Sequence, residues 1–338
     1  MHRKTFVVLT LVVGLIGLGA SSPQPATAQG SNTLVIYSGR SESLVGPLIE
    51  QFKVATGIDV RVRFAGTPEL AATLLEEGTN TPADIFYAQD PGGLGAVQDL
   101  FGTIPQRALD RVSAPFRSST SRWVGISGRA RTLVYNTNVL SEADLPDDIF
   151  GLTNPRWKGR LGWAPANASF QTMVTAMRKL WGEDKTRAWL EGVQANQPKV
   201  YPKNAPQVAA VAAGEIDVGL VNHYYLFRFL ATEGESFPVR NYHPRAGGPG
   251  ALVMVSGAGI LSSTTHRAAA EKFIDFMLST VAQQYFASVT FEYPVVEGVR
   301  TDRLLTPLEN INAPSIDLVD LADLAGTQTL LQATGVLP

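Results

Sequence analysis

From Thr33 onward, short apolar runs of strand type alternate with segments whose apolar residues recur at helical spacing, and this alternation restricts the fold more than any other feature. Thr33-Leu34-Val35-Ile36-Tyr37 is a β-rich run followed by the turn Ser38-Gly39-Arg40. Leu44, Val45, Leu48, Ile49 and Phe52 follow at helical spacing, closed by Gly57, whose tolerance of positive φ suits a helix C-terminus. Ile58 to Phe64 then alternates with period two. Strand, helix and strand within about thirty residues make a βαβ unit. The pattern recurs: Glu69 to Glu77 reads as a helix and Ala83 to Tyr87 as a strand, while Gln207 to Ala213 is a short helix ended by Gly214, before the buried strand Ile216 to Val221. Such alternation predicts an α/β fold with largely parallel sheets.

Two apolar runs read as crossings between lobes. One is Thr132-Leu133-Val134-Tyr135 after a turn at Ser127-Gly128-Arg129; the other is Ala251-Leu252-Val253-Met254-Val255 after Gly247-Gly248-Pro249-Gly250. Roughly 120 residues separate them, enough for an independent lobe. The expected organisation is a first lobe over 29–131, a second over 132–250, and a return to the first over 251–338. Leu318 to Leu331 is helical in pattern, with its lobe left open. A discontinuous pair of this kind leaves a cleft, the usual place for a ligand.

Ahead of this region stand His2, Arg3 and Lys4, an apolar run from Phe6 to Ala20, and a Ser/Pro/Ala stretch ending Ala26-Thr27-Ala28. That is the layout of a secretory signal peptide over residues 1–28, cleaved near Ala28. The apolar run is too short and glycine-rich for a membrane span. The chain of 338 residues holds 28 Lys and Arg against 30 Asp and Glu, with no basic stripe, so nothing points to nucleic acid. It has no cysteine, which removes disulfides, thiolate metal sites and a cysteine nucleophile. No Gly-x-Ser-x-Gly elbow, phosphate-binding P-loop or His-Glu-x-x-His helix occurs, and Asp147-Asp148 sits in a loop-like acidic stretch, so an enzyme is not expected.

Seven runs stand in an order that resembles the periplasmic ferric-iron-binding proteins of ABC importers. They are Ile36 to Arg40, Pro82 to Tyr87, Ser127-Gly128-Arg129, Pro155 to Arg160, Gly214 to Asp217, Val221 to Tyr225 and Pro249 to Val253. The resemblance covers nearly the whole chain after the leader. It implies the two-lobed type II periplasmic-binding-protein fold, with central mixed sheets flanked by helices and a ligand cleft between lobes. It also implies a monomer that captures Fe(III) outside the cytoplasm and delivers it to an ABC permease in the inner membrane.

In that family two adjacent tyrosines after a second-lobe strand coordinate Fe(III), and Tyr224-Tyr225 matches the pair. The chemistry fits, because a hard, highly charged cation favours anionic oxygen ligands and promotes deprotonation of a phenol. Adjacent strand residues face opposite ways, so both ligate only if the chain leaves the strand there. The alternative is that both rings begin an apolar helix and lie in the core.

The remaining family ligands do not carry over. Where some relatives have histidine and glutamate, this chain has Ser41 and Gln89; where another branch has a His-Tyr pair and a third tyrosine, it has Ser41-Glu42 and Ser169. Glu42 is a candidate replacement ligand, or else a first-turn glutamate complementing a helix dipole. Gln89 and Asp90 are further cleft candidates, Asp90 equally a cap. For a synergistic carbonate or phosphate the resemblance implies Asn167, Ala168, Ser169, Asn204 and Asn222, to which Arg40 and Arg129 would add charge. An N-cap role for Asn204 and surface ion pairs for the arginines stay open. His223, His243 and His266 are expected not to ligate. A cleft around Ser41, Gln89 and Ser169 would also suit an organic anion, a phosphonate or a ferric chelate.

Overall fold

The computed structural model describes residues 33–338, and the expected leader and its cleavage near Ala28 lie outside the described residues. The first βαβ unit is β1 (Thr33–Ser38), α1 (Glu42–Thr56) and β2 (Asp59–Phe64). α1 buries Leu44, Val45, Leu48, Ile49 and Phe52, and it ends at Gly57 with φ 67°. Each such side chain contributes about 1.5–3 kcal/mol on burial. α2 (Thr67–Glu77), β3 (Ile85–Ala88) and the short helices α3 (Pro91–Ala96) and α4 (Gln106–Leu109) follow. β1 pairs in parallel with both β2 and β3.

The next strand, β4 (Val124–Asn136), is buried along its whole length. The middle region then supplies β5 (Leu161–Trp163), α5 (Ala168–Trp181), α6 (Glu183–Ala195), β6 (Lys199–Val200), α7 (Asn204–Ala212), β7 (Val218–Asn222), α8 (Tyr224–Glu233) and β8 (Val239–Tyr242). The chain returns through β9 (Val253–Ile260), α9 (Arg267–Met277), α10 (Thr280–Ser288) and α11 (Leu324–Ala333). The strand order is β2-β1-β3-β9-β4-β7-β5-β6, with β8 also on β4.

β4 joins the two halves by changing partners. Val124 to Ala130 pair antiparallel with β9, whereas Arg131 to Tyr135 pair with β7 and Leu133 to Asn136 with β8. The turn expected at Ser127-Gly128-Arg129 is therefore strand. Its glycine serves a close approach instead, since a Cβ on Gly128 would meet Tyr293 Cβ at 3.0 Å where the two backbones bridge. The second crossing begins later than its apolar run, because Pro249–Ala251 forms a 3-10 turn before β9.

The first half's core includes Leu34, Ile36, Phe52, Phe86 and Phe273. The second is built on Leu133, Trp157, Trp163, Phe170 and Trp189. The 3-10 turn Leu318–Leu321 buries Leu318 and Leu321 in the first, whereas α11 buries Leu330 and Leu331 in the second, so the terminal segment bridges both. Among the described residues no helix is long and apolar enough to cross a membrane.

Candidate functional site

Buried polar side chains are nearly always hydrogen-bonded, so a cluster of those that are not calls for a partner such as water, an ion or a ligand. β4 supplies the test. Ser127, Thr132 and Asn136 are buried and find partners in Ser256, Tyr242 O and Val211 O. Arg129 does not, and Arg131 does so at one terminal nitrogen alone. All three guanidinium nitrogens of Arg129, and Nε and Nη2 of Arg131, are buried without a hydrogen-bond partner among the described residues. Burial drags both guanidinia below the ordinary arginine range, Arg129 further by repulsion from Arg40, and Arg131 to about 9. Among the described residues neither guanidinium is hydrogen-bonded to an anion, although Glu292 and Asp90 lie within electrostatic reach of Arg129.

β7 ends beside them. Asn222 pairs with Arg131 in register, and its Oδ1 accepts from Arg131 Nη1 at 3.1 Å. His223 then turns helical and α8 begins at Tyr224, so the next two side chains do not alternate across a sheet. The Tyr224 and Tyr225 rings stack, with centroids 4.3 Å apart and planes 29° apart, at the positive end of a helix. Both are buried, at 0% and 7% exposure. They thus begin a helix, as one alternative held, and yet lie with three buried arginines rather than in purely apolar surroundings. Burial and then the neighbouring Tyr224 push the Tyr225 phenol up.

Arg40, from the turn after β1, is 1% exposed and places Nη1 3.4 Å from the Tyr224 hydroxyl. Its Nη2 donates to the buried carboxylate of Glu292. Burial opposes its charge, but Glu292 overrides this and holds the guanidinium well above the ordinary arginine range. Neither arginine expected at the site is a surface ion pair.

A cavity of about 310 Å³ opens onto Tyr225 from Arg40, Ser41, Gln89, Asn167 and Ala168. Asn167 caps α5, accepting from Ser169 N at 3.1 Å. Ser169 Oγ accepts from Gln89 Nε2 at 2.9 Å and from Asn222 Nδ2 at 3.1 Å. Gln89 reaches it because Gly39 lets the loops close: a Cβ there would lie 1.9 Å from Thr67 Oγ1, which accepts from Gln89 N.

Other candidates sit farther out or serve locally. Glu42 is the exposed first residue of α1, on the rim of the cavity. Asp90 caps α3, accepts from Thr172 Oγ1 at 2.6 Å, and keeps Oδ2 buried and unpartnered. Asn204 is the first residue of α7 and not its cap; its Nδ2 is buried without a partner, next to the cavity residue Lys203. His223 is satisfied at both nitrogens, by Ala130 N–H and Phe291 O. Arg131 and Glu292 were not anticipated. Arg-x-Arg inside an apolar strand was a legible signal for Arg131, whereas Glu292 faces a partner 252 residues away.

The fold is that of a two-lobed periplasmic binding protein, and residues 80–316 match the model of the bacterial extracellular solute-binding protein family, to which the chain belongs. It is a transport protein and not an enzyme. The chain is 35% identical over 317 residues to the Fe(3+)-binding periplasmic protein of Serratia marcescens, covering 91% of this chain and 94% of that one. It is similar to iron-bound HitA from Pseudomonas aeruginosa, with TM-score 0.85 and 32% identity over 90% of this chain and 99% of the other. A Trichodesmium protein solved with iron and citrate has TM-score 0.74 and 28% identity, over 90% and 99%.

Proposed function

We propose that this protein captures Fe(III) in the interlobe cleft through Tyr224 and Tyr225, together with a synergistic carbonate or phosphate, and delivers it to an ABC permease. The observation that carries this reading is the stacked tyrosine pair, with Arg40 at the Tyr224 hydroxyl and the buried Arg129 and Arg131 within electrostatic reach. Phenolates are hard anionic ligands suited to Fe(III), and buried cations favour the ionised form. The relatives' names point the same way, one an Fe(3+)-binding periplasmic protein and another iron-bound. The anion would take the α5 N-terminus at Asn167, Ala168 and Ser169, with Asn204 and Asn222, and would draw on Arg129. Glu42 on the rim would complete the sphere if closure brings it inward. Residues 1–28 would be removed on export, leaving a periplasmic monomer whose lobes are 29–131 with the returning chain from 251, and 132–250, with α11 docked on the second.

A visible absorption titration of metal-stripped protein with a weakly chelated ferric salt tests it. A phenolate-to-iron charge-transfer band in wild type that is lost in Tyr224→Phe/Tyr225→Phe is expected; no band in wild type rejects tyrosinate coordination.

One observation favours a second reading on the same fold, an organic anion, phosphonate or ferric chelate. Five buried guanidinium nitrogens of Arg129 and Arg131 have no hydrogen-bond partner among the described residues, more donors than a small monoanion takes up, and one similar structure holds citrate with iron. Binding of ferric citrate without release of citrate would select it.

A further inference from the structure

Arg40 touches the candidate ligand Tyr224, but its own position is set elsewhere. Glu292 lies in the loop after α10, fully buried like its partner. One carboxylate oxygen accepts from Arg40 Nη2 and the other from Ser127 Oγ. Ser127 in β4 is in turn 2.7 Å from Ser256 in β9, so the carboxylate is anchored to both strands that cross between the lobes. The ion pair engages one terminal nitrogen of Arg40 and leaves Nη1 directed at the tyrosine hydroxyl. The guanidinium carbon also lies 5.8 Å from the Tyr224 ring centre.

We infer that Glu292 is a positioning residue that holds Arg40 on Tyr224 and thereby tunes the tyrosinate as a ligand. The inference rests on the tyrosine-coordination reading. A cationic N–H bonded to a phenolate oxygen lowers the energy of the electrons that the phenolate shares with iron, so the ligand donates less strongly and its charge-transfer band moves to shorter wavelength. Ligand-orienting partners of this kind typically move metal affinity about 10–100-fold.

The experiment records the band maximum of the iron-loaded full-length mature protein for wild type, Glu292→Gln, Glu292→Asp and Arg40→Gln/Glu292→Gln, with thermal unfolding followed alongside. Glu292→Gln is expected to shift the maximum to longer wavelength, as far as the double variant does, with Glu292→Asp intermediate. A Glu292→Gln protein that keeps the wild-type maximum, while the double variant shifts, overturns the positioning role and leaves a structural ion pair. If Glu292→Gln does not fold, Glu292→Asp decides: a shift towards the double variant supports the inference and an unmoved maximum overturns it. A wild-type protein without any band is a different failure, because it removes tyrosinate coordination itself and this inference with it.

Discussion

Gln89 Nε2 donates to Ser169 Oγ at 2.9 Å, joining the loop after β3 to the first turn of α5 across the cleft. Asn222 Nδ2 donates to the same oxygen at 3.1 Å, so both lone pairs of the Ser169 hydroxyl are occupied and its proton is left to donate. The cleft is closed here by neutral hydrogen bonds, where the resemblance to ferric-binding proteins implies a carboxylate.

Gln89→Glu restores that carboxylate. Iron binding without added carbonate or phosphate is expected to strengthen on the order of tenfold, at the lower end of what substitutions around a metal site change. Ferric titrations with and without phosphate check it; an unchanged requirement for anion would show that position 89 stays out of the sphere.

Arg129→Met removes a buried cation that has no hydrogen-bond partner among the described residues. Iron-free protein is expected to gain about 1–3 kcal/mol, since a buried charge without hydrogen bonds carries a desolvation cost that an apolar side chain does not. Iron and anion loading should weaken in the same variant. Denaturant unfolding of the metal-stripped protein decides, and a destabilised variant would mean that Arg129 is paired.

Single substitutions Tyr224→Phe and Tyr225→Phe are each expected to cost more than about a hundredfold in ferric affinity, beyond the usual effect of an orienting partner. Competition against a chelator of known strength measures it. Loss from only one variant would make the site monodentate in tyrosine.

Asp323 carries a pH-dependent contribution. Its carboxylate caps α11 by accepting from Gly326 N at 3.0 Å and lies 2.8 Å from Arg178 Nη1, and the cap first and Arg178 next hold it below the usual carboxylate range. A depressed folded-state pKa stabilises above the unfolded value and is lost as pH falls through the folded one. The side chain is 49% exposed, so screening leaves about 1 kcal/mol or less for cap and pair together. Asp323→Ala should lower stability by that amount at pH 7, with the gap to wild type closing as pH drops from about 5 towards 3. Urea midpoints across that range test it.

Periodicity made the strands and helices legible because each buries its own face: Leu44 to Phe52 and the strand before Asn222 need no distant partner to be recognised. Gly128 misled for a physical reason, since glycine marks a turn and a close backbone approach with the same letter, and Tyr293 supplied the approach. Arg40 and Arg129 were legible as charges near the site, but not as buried ones.

The sequence by itself determined the alternation, the crossing strands and the adjacent tyrosines, all consequences of local spacing. Tertiary structure alone decided that Tyr224 and Tyr225 stack, that β4 changes partner between Ala130 and Arg131, and that Glu292 meets Arg40. Those contacts join residues up to 252 positions apart. No local periodicity encodes such pairings, because they are fixed by how the halves pack and by the cost of leaving a buried charge unpaired.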